Sequence, residues 1–236
     1  MKPVLVSCLA FTALLAGCSV PTAPSAVSSL DGVFNQPEGR SSTTQIASGK
    51  NVTLGVVYSR NTETNRAYLR HYQANAGTGF GQSLLAQPIH DAYVATSNPD
   101  FAVDGVMASL RRAFGTVTVY PNMPSLQADR PDVIAVIDTR SQLITARSSD
   151  IESNVSVLFY DAHSNYIGTA KGYEARALTP LWGNYSQHAD DIVADINQQQ
   201  DVQVKALQKF DQSLNHLLTG PTGSLSLNTE NMAIIK

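Results

Sequence analysis

The chain has 236 residues, 43% of them apolar, which is enough to bury a substantial core and excludes wholesale disorder. Only 15% of residues are charged, and 16 basic against 19 acidic side chains give a net charge of −3. That balance, with a single tryptophan, excludes a nucleic-acid binder working through a basic face or a base-stacking platform.

Lys2 is a minimal basic n-region, and Val4 to Ala16 form an apolar stretch shorter than the ~20 residues a membrane-spanning helix needs. The stretch ends in Leu15-Ala16-Gly17-Cys18. This resembles the lipobox of bacterial lipoproteins, in which a thiol accepts a diacylglyceryl group and small neighbours admit the signal peptidase. The resemblance implies that residues 1–17 are removed and that Cys18 becomes the first residue, carrying diacylglycerol and a palmitate-class acyl chain. An ordinary secretory signal with Cys18 incidental is the alternative, but no Ala-x-Ala-like cleavage site is well placed. Ser19 rather than Asp after the cysteine implies, by resemblance to enterobacterial sorting rules, the outer membrane, with the domain facing the periplasm. The other cysteine, Cys8, lies inside the removed stretch, so the expected mature domain has neither a disulfide nor a cysteine metal site.

From Ser19 to Lys50, 16 of 32 residues are Ser, Thr, Pro or Gly, and the apolar ones show no period. Residues 18–50 therefore read as a lipidated cysteine followed by a flexible tether. The alternative is a partly ordered arm lying on the domain through Val33 and Phe34.

Residues 51–220 read as a single domain. Val52 to Tyr58 is β-branched and bounded by Ser59-Arg60-Asn61, which predicts a strand. Residues 61–96 carry no clear pattern, although Ser83 to Ile89 is compatible with a short helix or strand. The next helix is predicted over 99–114, capped by Asn98, with Val103, Val106, Met107, Leu110 and Phe114 at helical spacing and Gly115 as its stop. Thr116 to Tyr120 predicts a strand ended by Pro121 and Pro124. Val133 to Ile137 is apolar on both faces and predicts a central strand. Leu143 to Arg147 is expected to begin the next strand. Val155 to Tyr160 and Tyr166 to Gly172 flank the polar loop 161–165 as a hairpin. Over 189–218, Ile192, Ile196, Leu207, Phe210, Leu214 and Leu217 share one helical stripe interrupted by Gln199 and Gln203, giving one long helix or two short ones. Gly220-Pro221 ends it, and 221–236 reads as a tail. The order predicts an α+β fold, a mixed or antiparallel sheet with helices packed mainly on one face.

Three segments carry a further resemblance: Val103 to Phe114, Pro131-Asp132-Val133-Ile134, and Val155 to Asp161. With the elements in this order, the chain resembles small Gram-negative outer-membrane lipoproteins of the YajG type, whose fold is similar to the TolB N-terminal domain. The resemblance covers about 130 residues. It implies action by binding other proteins of the cell envelope, sometimes as rings, and supplies no catalytic residue.

The chemistry-bearing residues each have a structural reading. Gly77-Thr78-Gly79-Phe80-Gly81 lacks the Lys-Ser/Thr of a phosphate loop and reads as a loop. His188 with Asp190 and Asp191 can ligate a metal, but Ser186 or Asp190 capping the long helix explains them as well. His71, His90, His163 and His216 have no paired spacing. Arg66 to Arg70 and Arg111-Arg112 read as solvated helix faces. Tyr68, Tyr72 and Leu181-Trp182-Gly183-Asn184-Tyr185 are either interface anchors or lids of the core. No Gly-x-Ser-x-Gly elbow is present. The expectation is a non-enzymatic binding or assembly component, with lipid attachment at Cys18 and no catalytic, cofactor or metal residue. Its expected partners are the membrane, envelope proteins and a possible further copy of itself, and no nucleic acid. A periplasmic module for a lipid or glycan fragment is the alternative, followed by a hydrolase.

Overall fold

The computed structural model describes residues 23–27, 46–75, 87–145, 148–178 and 188–219. Over these the fold is α+β, with five strands and five helices among the described residues. In chain order they are β1 (Gly49–Tyr58), α1 (Arg60–Asn75), α2 (Gln87–Thr96), α3 (Phe101–Ala113), β2 (Phe114–Val119), α4 (Met123–Asp129), β3 (Val133–Gln142), β4 (Asp150–Asp161), β5 (Tyr166–Ala177) and α5 (Ala189–Thr219).

The sheet order is β2-β1-β3-β4-β5. β1 runs parallel to β2 and β3, whereas β3, β4 and β5 form an antiparallel meander. β3 is central, as its two-faced apolar run predicts. One sheet face carries Leu54, Val56, Ala135, Ile137, Val157 and Phe159, buried beneath α3 and α5. The opposite face packs Val57, Ile134, Val136 and Tyr160 around Leu126 of the short α4. α2 joins α5 over a third cluster through Ile89, Ala92, Ile196 and Val202.

Several expectations shift in register. Asn98 does not cap α3 directly. Its Oδ1 accepts from the Asp100 amide at 3.0 Å, and Asp100 stands at the cap position without a side-chain cap bond. Gly115 does not stop the helix either, because the chain passes from Ala113 straight into β2. A Cβ at Gly115 would lie 1.8 Å from the carbonyl oxygen of Lys50, so the glycine is required for close approach of β1. Pro124 opens α4 rather than ending the strand; Asn122 caps it by accepting from the Ser125 amide at 3.0 Å. Residues 143–145 are not strand, and β4 begins only at Asp150. The hairpin is as predicted but longer on both sides, and α5 is one continuous helix of 31 residues.

Part of the stretch expected as a tether lies on the domain. Ile46 is buried in the main core and donates its amide to Leu217 O at 3.2 Å, and β1 starts at Gly49. Val33 and Phe34, the expected contacts of an ordered arm, lie outside the described residues.

Candidate functional site

β1 pairs with β3 only as far as Tyr58 opposite Ile137, which leaves the β3 edge beyond it needing partners. α1 supplies them. Ser59 Oγ accepts from the Thr62 amide at 3.1 Å and caps the helix, and the Ser59 amide donates to Ile137 O at 2.9 Å. Thr62 Oγ1 then donates to Ile137 O (2.8 Å) and accepts from the Thr139 amide (2.9 Å). Asn65 Oδ1 accepts from the Ser141 amide at 2.8 Å, and Tyr68 Oη from the Leu143 amide at 3.2 Å. Three positions spaced by three on a helix thus serve three amides spaced by two along β3 and the residue just past its end. A helix rises about 9 Å over six residues and a strand about 13 Å over four. The increasing reach of Thr, Asn and Tyr accommodates the difference.

The same edge continues into α5. Gln199 Oε1 accepts from the Ile144 amide at 2.7 Å, while its Nε2 donates to Thr96 Oγ1 at 2.8 Å. Gln203 Nε2 donates to Thr96 O at 2.9 Å. The two glutamines that interrupt the apolar stripe of α5 are therefore buried ties between α2, α5 and the end of β3.

Tyr68 and Tyr72 are core lids. They pack with Leu69 and Leu143, and Tyr72 donates to Ile144 O at 2.7 Å. Burial pushes the phenols of Tyr68 and Tyr93 up to about 12 and raises that of Tyr72 as well.

Residues 23–27 lie along α1. Val27 donates its amide to Asn61 Oδ1 (3.0 Å) and accepts from Asn61 Nδ2 (2.9 Å), a two-bond match of the kind a strand makes. Asn61 Nδ2 also donates to the buried Asp138 at 2.9 Å. Ala23 packs on the Tyr68–Leu69–Tyr72–Leu143 cluster. Between this arm and the sheet lies a cleft of about 220 Å³ lined by Ala23, Pro24, Ser25, Arg140, Ser141, Gln142 and Glu152.

Several of the remaining sequence candidates are held by local partners. Arg66 meets Asp100 at 2.6 Å and Glu63 at 3.4 Å and sits 5.6 Å from the Tyr58 ring centroid. Arg112 pairs with Asp211 at 3.3 Å, and Ser109 hydrogen-bonds the same carboxylate. Asp191 Oδ2 accepts from the His188 amide at 3.2 Å, so the bond at the start of α5 is made by Asp191 rather than by the expected Asp190, and Ser186 lies outside the described residues. Among the described residues no three His, Cys, Asp or Glu side chains come together to hold a metal ion. His71 and His90 lie on α1 and α2, His163 in the β4–β5 turn and His216 near the end of α5. Cys18, Gly77 to Gly81, and Leu181 to Tyr185 lie outside the described residues.

At the far side of the sheet, β2 pairs with β1 alone among the described residues. Its sequence, Phe-Gly-Thr-Val-Thr-Val, carries no charge and no proline, and Val119 is 42% exposed. The Tyr120 amide donates to Val56 O at 2.8 Å, so strand alternation turns the amides of Val117 and Val119 toward the free edge.

Among the described residues no helix is long and apolar enough to cross a membrane. No protein-family model matches the chain, and no curated protein does. Among solved structures, a dodecameric PelC variant from Paraburkholderia phytofirmans is similar over 71% of this chain and 94% of that chain, at 13% identity and a TM-score of 0.34.

Proposed function

We propose that this protein is an outer-membrane lipoprotein, anchored through Cys18 with its α+β domain in the periplasm. There it acts as a non-enzymatic binding or assembly component of a cell-envelope complex. The observation that carries the reading is Leu15-Ala16-Gly17-Cys18 closing an apolar stretch of signal-peptide length. Acyl chains contribute about 0.8 kcal/mol per buried methylene, so two or more together make a lasting anchor. The edge of β2, which is unpaired among the described residues, supports the binding half. Natural edge strands usually carry charge, proline or a cover, and an unprotected one is suited to adding a strand from another chain.

Two experiments test this reading. Cys18→Ala should move the protein from the membrane to the soluble fraction with its fold intact; a variant that stays membrane-bound overturns the anchor. A photo-crosslinking residue at Val119 in intact cells should capture an envelope protein or a second copy, whereas one at the exposed Lys171 of β5 should capture less. Equal yields contradict the role of the β2 edge.

The small-ligand reading has the cleft beside Arg140 as its candidate. Its volume of about 220 Å³ lies below the ~300–1,000 Å³ usual for ligand pockets, so the protein-binding reading is preferred.

A further inference from the structure

The docked arm changes what a lipid at Cys18 would do to the domain. Ala23 rests on the second half of α1 and on Leu143. Val27 is tied to Asn61 in the first turn of the same helix, so the arm runs antiparallel to α1. Only five Cα-to-Cα steps separate Cys18 from Ala23, a reach of about 18 Å at most. If residues 18–46 were instead a free coil, the root-mean-square span would be about 30 Å, with no preferred orientation.

We infer that residues 23–27 are a strap that shortens the tether and holds one end of the domain against lipid headgroups. That end comprises the C-terminal half of α1 and the β3–β4 connection. This rests on the lipid-anchor reading above. The sheet then stands away from the bilayer: β4 runs from Asp150 at the strapped end to Asp161 at the other, about 36 Å at strand rise. Among the described residues the strapped end mixes Arg70 and Arg140 with Asp150 and Glu152, so the orientation is assigned to covalent reach rather than charge. The partner is a lipid surface, and the contact should persist at salt concentrations that screen surface charge.

The test uses the full lipidated chain in vesicles of phosphatidylethanolamine and phosphatidylglycerol containing a lipid with a nitroxide on its headgroup. Single labels are placed at the exposed positions Asp150→Cys and His163→Cys; Cys18 is occupied by lipid and Cys8 is removed with the signal peptide. Given the ~18 Å reach and ~36 Å strand length, quenching should be at least about twofold stronger at position 150 than at 163, in low and high salt alike. Asn61→Ala, which removes both bonds to Val27, should bring the two positions toward equality. Vesicle flotation of the same samples separates the two claims. Protein that does not float overturns the anchor and the strap with it. Protein that floats with equal quenching at both positions, or stronger quenching at 163, overturns the strap alone.

Discussion

Gln199 shows how much a single polar side chain holds in this fold. Its amide satisfies a strand-end N–H and a helix-end hydroxyl at once, both out of reach of water. Gln199→Leu fits the apolar stripe better yet orphans the Ile144 amide, and should lower stability by about 1–3 kcal/mol. Urea unfolding measures this, and an unchanged midpoint would contradict the assigned role. Tyr68 makes a second case, with a pH signature. Its phenol titrates near 10 when unfolded and about 12 when folded, so its contribution is fully present below pH 10 and is lost as pH rises toward 12. Tyr68→Phe should reduce that alkaline loss, Tyr72 and Tyr93 keeping theirs, while leaving the Leu143 amide without its acceptor and the protein less stable at pH 7. Gly172 is a steric case: a Cβ there would lie 1.9 Å from Ala206 O, so Gly172→Ala must displace α5 from β5.

The elements divide by whether their buried face is apolar. β3, the β4–β5 hairpin, α3 and α5 were legible because their cores are written in Val, Ile, Leu and Phe at strand or helix spacing. α1 was not, because its face toward β3 begins with Asn61, Thr62 and Asn65, whose task is to hydrogen-bond a strand edge. The available signal was the cap: Ser59 ahead of Thr62, with Glu63 in the first turn. α4 escaped because seven residues are too few to show a period, and Pro124 reads equally as a breaker. Of the candidate site, the lipobox-like Leu15-Ala16-Gly17-Cys18 is a reading of the sequence alone and lies outside the described residues, whereas the arm contact was not legible, since Val27 and Asn61 are 34 residues apart. For β2, the outward amide of Val119 and the inward one of Thr118 predict opposite costs. Val119→Pro should leave stability little changed and weaken partner capture, whereas Thr118→Pro should lose a β1 bond and about 1 kcal/mol or more. Similar losses in the two variants would contradict the strand orientation. In the β4–β5 turn, burial opposes ionisation of Asp161, but bonds from Asn165 and His163 prevail and lower its carboxyl below the ordinary value. Its contribution is present above about pH 4 and is lost as pH falls through the lower native value. Asp161→Ala should remove that acid dependence.

For the molecule as a whole, the domain is one sheet with α3 and α5 on one face, its N-terminal arm on α1, and an uncharged strand at one edge. The proposed anchor at Cys18, the proposed strap and an edge strand unpaired among the described residues would together suit work at a membrane with a protein partner. All of it depends on the chemistry of a single thiol. The most direct measurement is mass spectrometry of the N-terminal peptide of the protein purified from membranes of a Gram-negative host. The account predicts a chain beginning at Cys18 and heavier than its sequence by a diacylglyceryl group and an acyl chain. A chain beginning at any other residue, or a Cys18 peptide of unmodified mass, would contradict it.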